Sequence, residues 1–97
     1  MTGETNHIVG ENGTAIPGSK TTGQVGKTER IDVENPLGQD GNIHYHEPNG
    51  TKWYYNIKEK ILFNEKDMTT APPKIQRVLQ LEWAKKAIEK ALKILGE

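Results

Sequence analysis

Alternation of polar and apolar side chains between residues 42 and 57 predicts a β-hairpin. Residues 42–46 alternate, residues 47–50 (Glu-Pro-Asn-Gly) are a turn signal, and residues 51–57 alternate again. A short turn then leads into a third predicted strand at residues 60–63. This stretch is the most regular β pattern in the chain, and it predicts an antiparallel sheet.

The turn residues predict how the two strands of this hairpin pair. Pro48-Asn49-Gly50 suits a three-residue loop, because proline presets the first turn position and glycine accepts the left-handed one. Such a loop places His46 opposite Lys52 and His44 opposite Tyr54. One face then carries Ile43, Tyr45, Trp53, Tyr55 and Ile57, and the other carries His44, His46, Lys52, Tyr54 and Asn56. A two-residue Asn-Gly loop would shift the register by one and put Trp53 and Ile57 beside the histidines, so burial favours the three-residue loop.

The part of the chain before this hairpin gives weaker signals. Residues 30–34 alternate and predict a half-buried strand. Ile8-Val9 and Ala15-Ile16 flank an Asn-Gly pair, which indicates a small hairpin. Residues 17–23 are interpreted as an ordered loop or a flexible lead-in, and residues 1–20 are the candidate lead-in of the domain.

The pattern becomes helical from Pro73 onward. One stripe at helical spacing consists of Ala84, Ala87, Ile88, Ala91, Leu92 and Leu95. Ile75, Val78 and Leu79 fall on nearly the opposite side of the same helical wheel. This predicts either a short first helix with a bend near Gln80 or one helix that contacts two surfaces. We therefore expect an α+β fold in which a small twisted antiparallel sheet packs on a C-terminal helix or helix pair.

Composition limits the domain count and the classes of function. A chain of 97 residues with 33% hydrophobic residues fits a single domain with a small core, spanning residues 1–97. The absence of cysteine excludes cysteine proteases, zinc fingers and iron–sulfur proteins. No apolar run approaches the roughly 20 residues that span a bilayer, so we expect no membrane insertion. The first residues do not resemble a signal peptide, which favours a piece of a longer protein.

Charge is unevenly divided although the formal net charge is zero. Residues 1–50 hold three basic and seven acidic side chains, whereas residues 51–97 hold ten basic and six acidic ones. Proteins that bind nucleic acid unaided are usually basic overall. A nucleic-acid enzyme of this composition would need a local positive face, or a partner that supplies the affinity.

The polar face of the hairpin carries the strongest candidate chemistry. His44 and His46 are two residues apart on one strand, so their α-carbons lie about 7 Å apart with both side chains on one side. RNA cleavage without a metal needs a base for the ribose 2′-OH, an acid for the leaving 5′-oxygen, and cations for the phosphorane. His44 is the candidate proton-transfer group, with His46, Lys52 and Tyr54 beside it as candidate substrate-binding residues.

Three further residues are candidates for contacts with a phosphate in the same catalytic site. Arg30 offers a bidentate fork, Lys20 a cation in a Gly/Ser-rich segment, and Thr28 a hydroxyl donor. His7 is a further candidate for substrate binding. We expect no cofactor.

Three other interpretations stay open. Strand histidines are common on solvated faces without any function. The His-x-His spacing also suits a metal, but with His7 and scattered carboxylates as the only other ligands we expect no metal site. A metal-dependent nuclease using His44 and His46 is therefore one alternative. A binding module that uses the basic helix and aromatic hairpin to hold a protein partner is another.

Several blocks of the sequence resemble a known family. Ile16-Pro17-Gly18-Ser19-Lys20, the block Val25 to Pro36 that contains Thr-Glu-Arg-Ile-Asp-Val-Glu-Asn-Pro, and Gly41-Asn42-Ile43-His44-Tyr45 are similar to polymorphic toxin C-terminal domains of type 24. These domains are the variable tips of contact-dependent growth inhibition proteins of the CdiA type and of related delivery proteins. The resemblance covers about residues 7 to 57.

The resemblance implies a ribonuclease toxin at the tip of a secreted or cell-surface protein. It would act in the cytoplasm of a neighbouring bacterium, cleave transfer RNA, and be blocked by a cognate immunity protein. Some relatives require translation elongation factor Tu, which would bring the RNA and so offset the neutral charge. By position, the resemblance points to His44, Thr28 and Arg30 first, and to His7 and Lys20 next.

Overall fold

The computed structural model describes residues 15–36 and 41–97. The fold is α+β, as predicted: a five-stranded antiparallel sheet with strand order β1-β2-β3-β4-β5, followed by helices. The strands are β1 (Ser19–Val25), β2 (Glu29–Glu34), β3 (Asn42–His46), β4 (Lys52–Asn56) and β5 (Ile61–Phe63). The predicted N-terminal hairpin lies largely outside the described residues, and its second piece, Ala15-Ile16, is not a strand.

The β3–β4 hairpin has the predicted three-residue loop. The backbone N–H of Glu47 donates to the carbonyl of Thr51 at 2.8 Å, and that of Gly50 donates to the carbonyl of Glu47 at 2.9 Å. Gly50 adopts φ 95°, the left-handed conformation that the turn requires of a glycine. Lys52 pairs with His46 and Tyr54 with His44, so the predicted register is confirmed.

The segment at residues 17–23 is not the loop or flexible lead-in predicted from the sequence, because Ser19 already begins β1. β1 is an edge strand whose side chains are mostly exposed, so its residues lack the apolar alternation that marks a half-buried strand. The pairing with β2 is also irregular between Thr21 and Gly23. Such a bulge moves later residues to the opposite face and disrupts any period of two.

The C-terminal region bends where the sequence predicted a break. A short helix α1 (Pro73–Gln76) continues into a 3-10 helix (Arg77–Gln80), and α2 (Glu82–Leu95) follows. Gly96 ends α2 in the left-handed conformation, with φ 82°. The predicted stripe of α2 is its buried face except at Leu92, which is partly exposed. Of the two arrangements predicted from the sequence, the short first helix with a bend near Gln80 is therefore confirmed.

Helix α2 and the short helices cover one face of the sheet and form the core with it. The sheet contributes Ile31, Val33, Ile43, Tyr45 and Leu62 to this core. No helix among the described residues is long and apolar enough to cross a membrane.

Close approach between β1 and α2 depends on Gly23. A Cβ at this position would lie 2.6 Å from the Cβ of Ala87, closer than two carbon atoms pack. We predict that Gly23→Ala lowers the free energy of unfolding by roughly 1–3 kcal/mol, because the helix must move away. Urea denaturation measures the effect, and Ser19→Ala at an exposed position of the same strand is the control.

The clash predicts a specific coupling between the two positions. Ala87→Gly removes the methyl group that the Cβ added by Gly23→Ala would meet, so the double variant should lose less stability than the sum of the two single losses. A loss of stability in the double variant that equals the sum of the two single losses would contradict the proposed contact.

Candidate functional site

The face of the sheet opposite the helices gathers polar side chains from four strands. Directly paired residues of antiparallel strands point to the same side, and Thr21 pairs with Asp32, which pairs with His44. His44 in turn pairs with Tyr54. We call this surface the polar face; it carries Thr21, Arg30, Asp32, Glu34, Asn42, His44, His46, Lys52 and Tyr54.

Asp32 lies at the centre of this face, and its side chain is only 5% exposed. The Thr21 hydroxyl donates to Oδ1 at 2.7 Å, and Arg30 Nε donates to Oδ2 at 2.9 Å. Burial opposes ionisation of Asp32, but the hydrogen bonds from Thr21 and Arg30 together outweigh it and hold its pKa below the usual value. Asp32 therefore carries a negative charge at the centre of the polar face at neutral pH.

His44 is only 3% exposed, so its ring is buried beneath its neighbours. Its Nδ1 lies 3.0 Å from Oδ1 of Asn42, an oxygen that can only accept, so Nδ1 carries the hydrogen. Burial, with the nearby charges of Lys52 and His46, lowers the pKa of His44 to about 4. The ring is therefore neutral at pH 7, and its Nε2 presents a lone pair 3.8 Å from Oδ2 of Asp32.

His46 is the more accessible imidazole, with 16% of its side chain exposed. Its Nε2 faces inward, 3.4 Å from Oδ2 of Asp32, yet makes no hydrogen bond to any residue that the structure describes. The two atoms are close, but their geometry is not that of a hydrogen bond. Burial, followed by the charge of Arg30, lowers the pKa of His46. The two imidazole rings lie 5.0 Å apart, edge to face.

Lys52 and Tyr54 border the cluster on the β4 side. Lys52 Nζ lies 5.7 Å from the centroid of the Tyr54 ring, and that ring lies 5.4 Å from the ring of His44. Next to them is a surface hollow of about 390 Å³, lined by Thr51, Lys52, Tyr54, Asn64, Glu65 and Lys66. An aromatic ring with a cation beside it can stack on a nucleotide base and hold its phosphate.

The remaining sequence candidates do not join this cluster. Thr28 lies in the turn between β1 and β2, where its hydroxyl donates to the carbonyl of Pro48 at 3.1 Å and so links the two hairpin turns. Lys20 pairs with Val33, on the opposite face from Asp32. His7 lies outside the described residues. Of the four residues predicted to be catalytic, the polar face holds His44 and Arg30.

Asp32, Asn42 and Thr21 are site residues that the sequence analysis did not select. One signal was available for Asp32: strand alternation puts it on the same side as Arg30. The position of β2 beside β3, which brings this carboxylate to the histidines, could not be inferred from the sequence.

The cluster can transfer protons or bind a cation. One ligand atom each from Asp32, His44 and His46 lies within 4.8 Å of the others. Imidazole nitrogens and carboxylate oxygens are the ligands that zinc and similar ions take.

Comparison of the chain with protein-family models, with curated proteins and with solved structures finds no match.

The hydrogen bond from His44 to Asn42 gives a testable prediction for the tautomer. Wild-type His44 should carry its hydrogen on Nδ1, whereas in Asn42→Ala the hydrogen should move to Nε2, which can then donate to Asp32. Nitrogen-15 NMR of the imidazole side chains distinguishes the two forms. Asn56→Ala, at the far end of β4, is the control, and an Nε2–H form in the wild type would contradict this assignment.

Proposed function

We propose that the protein is a ribonuclease that cleaves RNA at the polar face by general acid–base catalysis, without a metal. The observation that supports it best is the convergence of two imidazoles on one buried carboxylate, flanked by Arg30 and Lys52. Proton-transfer groups beside cations are what phosphodiester cleavage through a 2′-hydroxyl requires.

His46 is the imidazole that we assign to direct proton transfer. In the tautomer that carries its hydrogen on Nε2, the nitrogen that faces Oδ2 of Asp32 at 3.4 Å, Nδ1 is left to take the proton of a ribose 2′-OH. The 2′-oxygen then attacks phosphorus and the bond to the 5′-oxygen breaks. The products are a 2′,3′-cyclic phosphate and a 5′-hydroxyl.

Tyr54 is our candidate for the acid that gives the leaving 5′-oxygen its proton, since it lies on the same face. Arg30 and Lys52 would stabilise the negative charge of the phosphorane. His44, expected from the sequence to exchange protons itself, is too buried to meet RNA without movement of its neighbours. We therefore assign it to positioning Asp32 and Tyr54.

The wider biological role is proposed on the sequence resemblance and on the charge. The domain would be the tip of a secreted or cell-surface bacterial toxin that acts on transfer RNA in the cytoplasm of a neighbouring bacterium. A cognate immunity protein would block it. Because the chain has no net positive charge, a carrier of transfer RNA such as elongation factor Tu would supply affinity for the substrate.

The activity can be tested on total bacterial RNA and on purified transfer RNA, with and without elongation factor Tu. We predict discrete fragments ending in cyclic phosphate, formed equally well in EDTA. His46→Ala should slow cleavage by about 10²–10⁴-fold, the usual contribution of one acid–base group. Lys85→Ala, on the exposed side of α2, is the control and should cleave at the wild-type rate.

Circular dichroism must show that His46→Ala is folded for this result to count. Cleavage by the folded variant at the wild-type rate would refute the assignment of His46. Absence of cleavage of any RNA by the wild type under all these conditions would refute the ribonuclease proposal itself.

A metal-dependent nuclease is a second candidate, because the ligand atoms of Asp32, His44 and His46 lie close enough to share one ion. It differs from the first proposal in one result. Its activity would vanish in EDTA and return with a divalent ion.

A further inference from the structure

We propose that Asp32, His44 and His46 form a binding site for one transition-metal ion of the zinc class. Tetrahedral zinc with bonds of about 2.0–2.1 Å to nitrogen and oxygen holds its ligand atoms about 3.3–3.4 Å apart. Oδ2 of Asp32 lies 3.4 Å from Nε2 of His46 and 3.8 Å from Nε2 of His44. One ligand atom of each residue lies within 4.8 Å of those of the other two, so the side chains must move closer together to reach tetrahedral spacing.

The electronic state of the cluster also fits a cation. Nε2 of His44 presents a lone pair, because its hydrogen is on the Nδ1 that bonds to Asn42. Nε2 of His46 is buried and makes no hydrogen bond within the part of the chain that the structure describes. A buried nitrogen that faces a carboxylate without a hydrogen bond is an unsatisfied polar atom. A metal ion between Nε2 of His46, Nε2 of His44 and Oδ2 of Asp32 would give it a partner.

Outer contacts already hold two of the three ligands in place. Asn42 accepts from Nδ1 of His44, and Thr21 donates to the other oxygen of Asp32. Metal-binding histidines and carboxylates in proteins are oriented by hydrogen bonds of this kind. Three protein ligands leave a fourth position for water or for a substrate oxygen.

The positive charges of Arg30 and Lys52 on the polar face oppose the binding of a metal cation. Substitution of a cation and substitution of a ligand should therefore change the zinc affinity in different ways. Arg30 Nε donates to the same Oδ2, although a carboxylate oxygen has lone pairs for both a hydrogen bond and a metal. Lys52 pairs with His46 across β3 and β4. Because like charges repel, removal of the Lys52 charge should strengthen zinc binding or leave it unchanged, whereas loss of a ligand should weaken it.

Calorimetric titration of the full chain with Zn²⁺ tests the site, with protein purified without a polyhistidine tag. The wild type should bind one ion, and His46→Ala and Asp32→Asn should each weaken binding by about 10-fold or more. Lys52→Gln is the matched control on the same face and should bind at least as tightly as the wild type. The site would be overturned if all three substitutions weakened zinc binding equally. It would also be overturned if none of them weakened zinc binding.

A second measurement uses only the wild type, so its result cannot be affected by a variant that fails to fold. In nitrogen-15 NMR of the wild type, addition of Zn²⁺ should shift the Nε2 signals of both His44 and His46. Absence of a shift at either residue would overturn the proposal that both bind the ion.

The consequence for catalysis rests on the proposed ribonuclease function. Zinc on Nε2 fixes the hydrogen of the His46 ring on Nδ1, which then cannot accept the proton of a 2′-OH. Zn²⁺ should therefore inhibit RNA cleavage, with a midpoint near the calorimetric affinity, and EDTA should reverse the inhibition. Zinc binding without inhibition of cleavage would refute this consequence. Cleavage that requires zinc would refute the metal-independent mechanism. The calorimetric and NMR tests of zinc binding do not depend on either result.

Discussion

The buried carboxylate of Asp32 is the interaction on which the polar face depends. An ionised group removed from water is costly unless it is paired and hydrogen-bonded. Thr21 and Arg30 supply those bonds from the neighbouring strand and from β2 itself. The two imidazoles approach the same oxygen from β3. The Asp32 carboxylate thus links three adjacent strands on the polar face. A side chain of a different shape at position 32 would remove the contacts that hold Thr21, Arg30 and the two imidazoles.

The opposite side of the sheet makes such an arrangement possible. Helix α2 packs its small side chains closely on the apolar face, and Gly23 lets β1 approach Ala87. The apolar core therefore lies between α2 and one side of the sheet. Polar residues on the other side do not interrupt that core. Stability and chemistry are divided between the two faces, which is why side chains that would be destabilising in the core can gather around Asp32.

The sequence predicted those parts of the structure that local chemistry determines. The Pro48-Asn49-Gly50 loop set the register of the β3–β4 hairpin, and the conflict between the two apolar stripes predicted the bend near Gln80. Strand β1 was not predicted, because an exposed edge strand with a bulge lacks the alternation of apolar and polar side chains by which a strand is recognised. The role of Asp32 depends on a long-range pairing of β2 with β3 that no local pattern encodes. The burial of His44 was also not predicted. Alternation predicts on which face of the sheet a side chain lies, but it does not predict which neighbouring side chains cover it.

The charges of the polar face connect the candidate chemistry with the neutral composition of the chain. Among the polar-face residues, Asp32 and Glu34 are acidic and Arg30 and Lys52 are basic, so the face has no net charge while both imidazoles are neutral. Phosphate binding favours a positive surface. The face can acquire that charge when His46 takes a proton or when a cation binds between the imidazoles and Asp32. RNA held weakly by such a face would need affinity from elsewhere, which is the physical argument behind our proposal that a transfer RNA carrier supplies it.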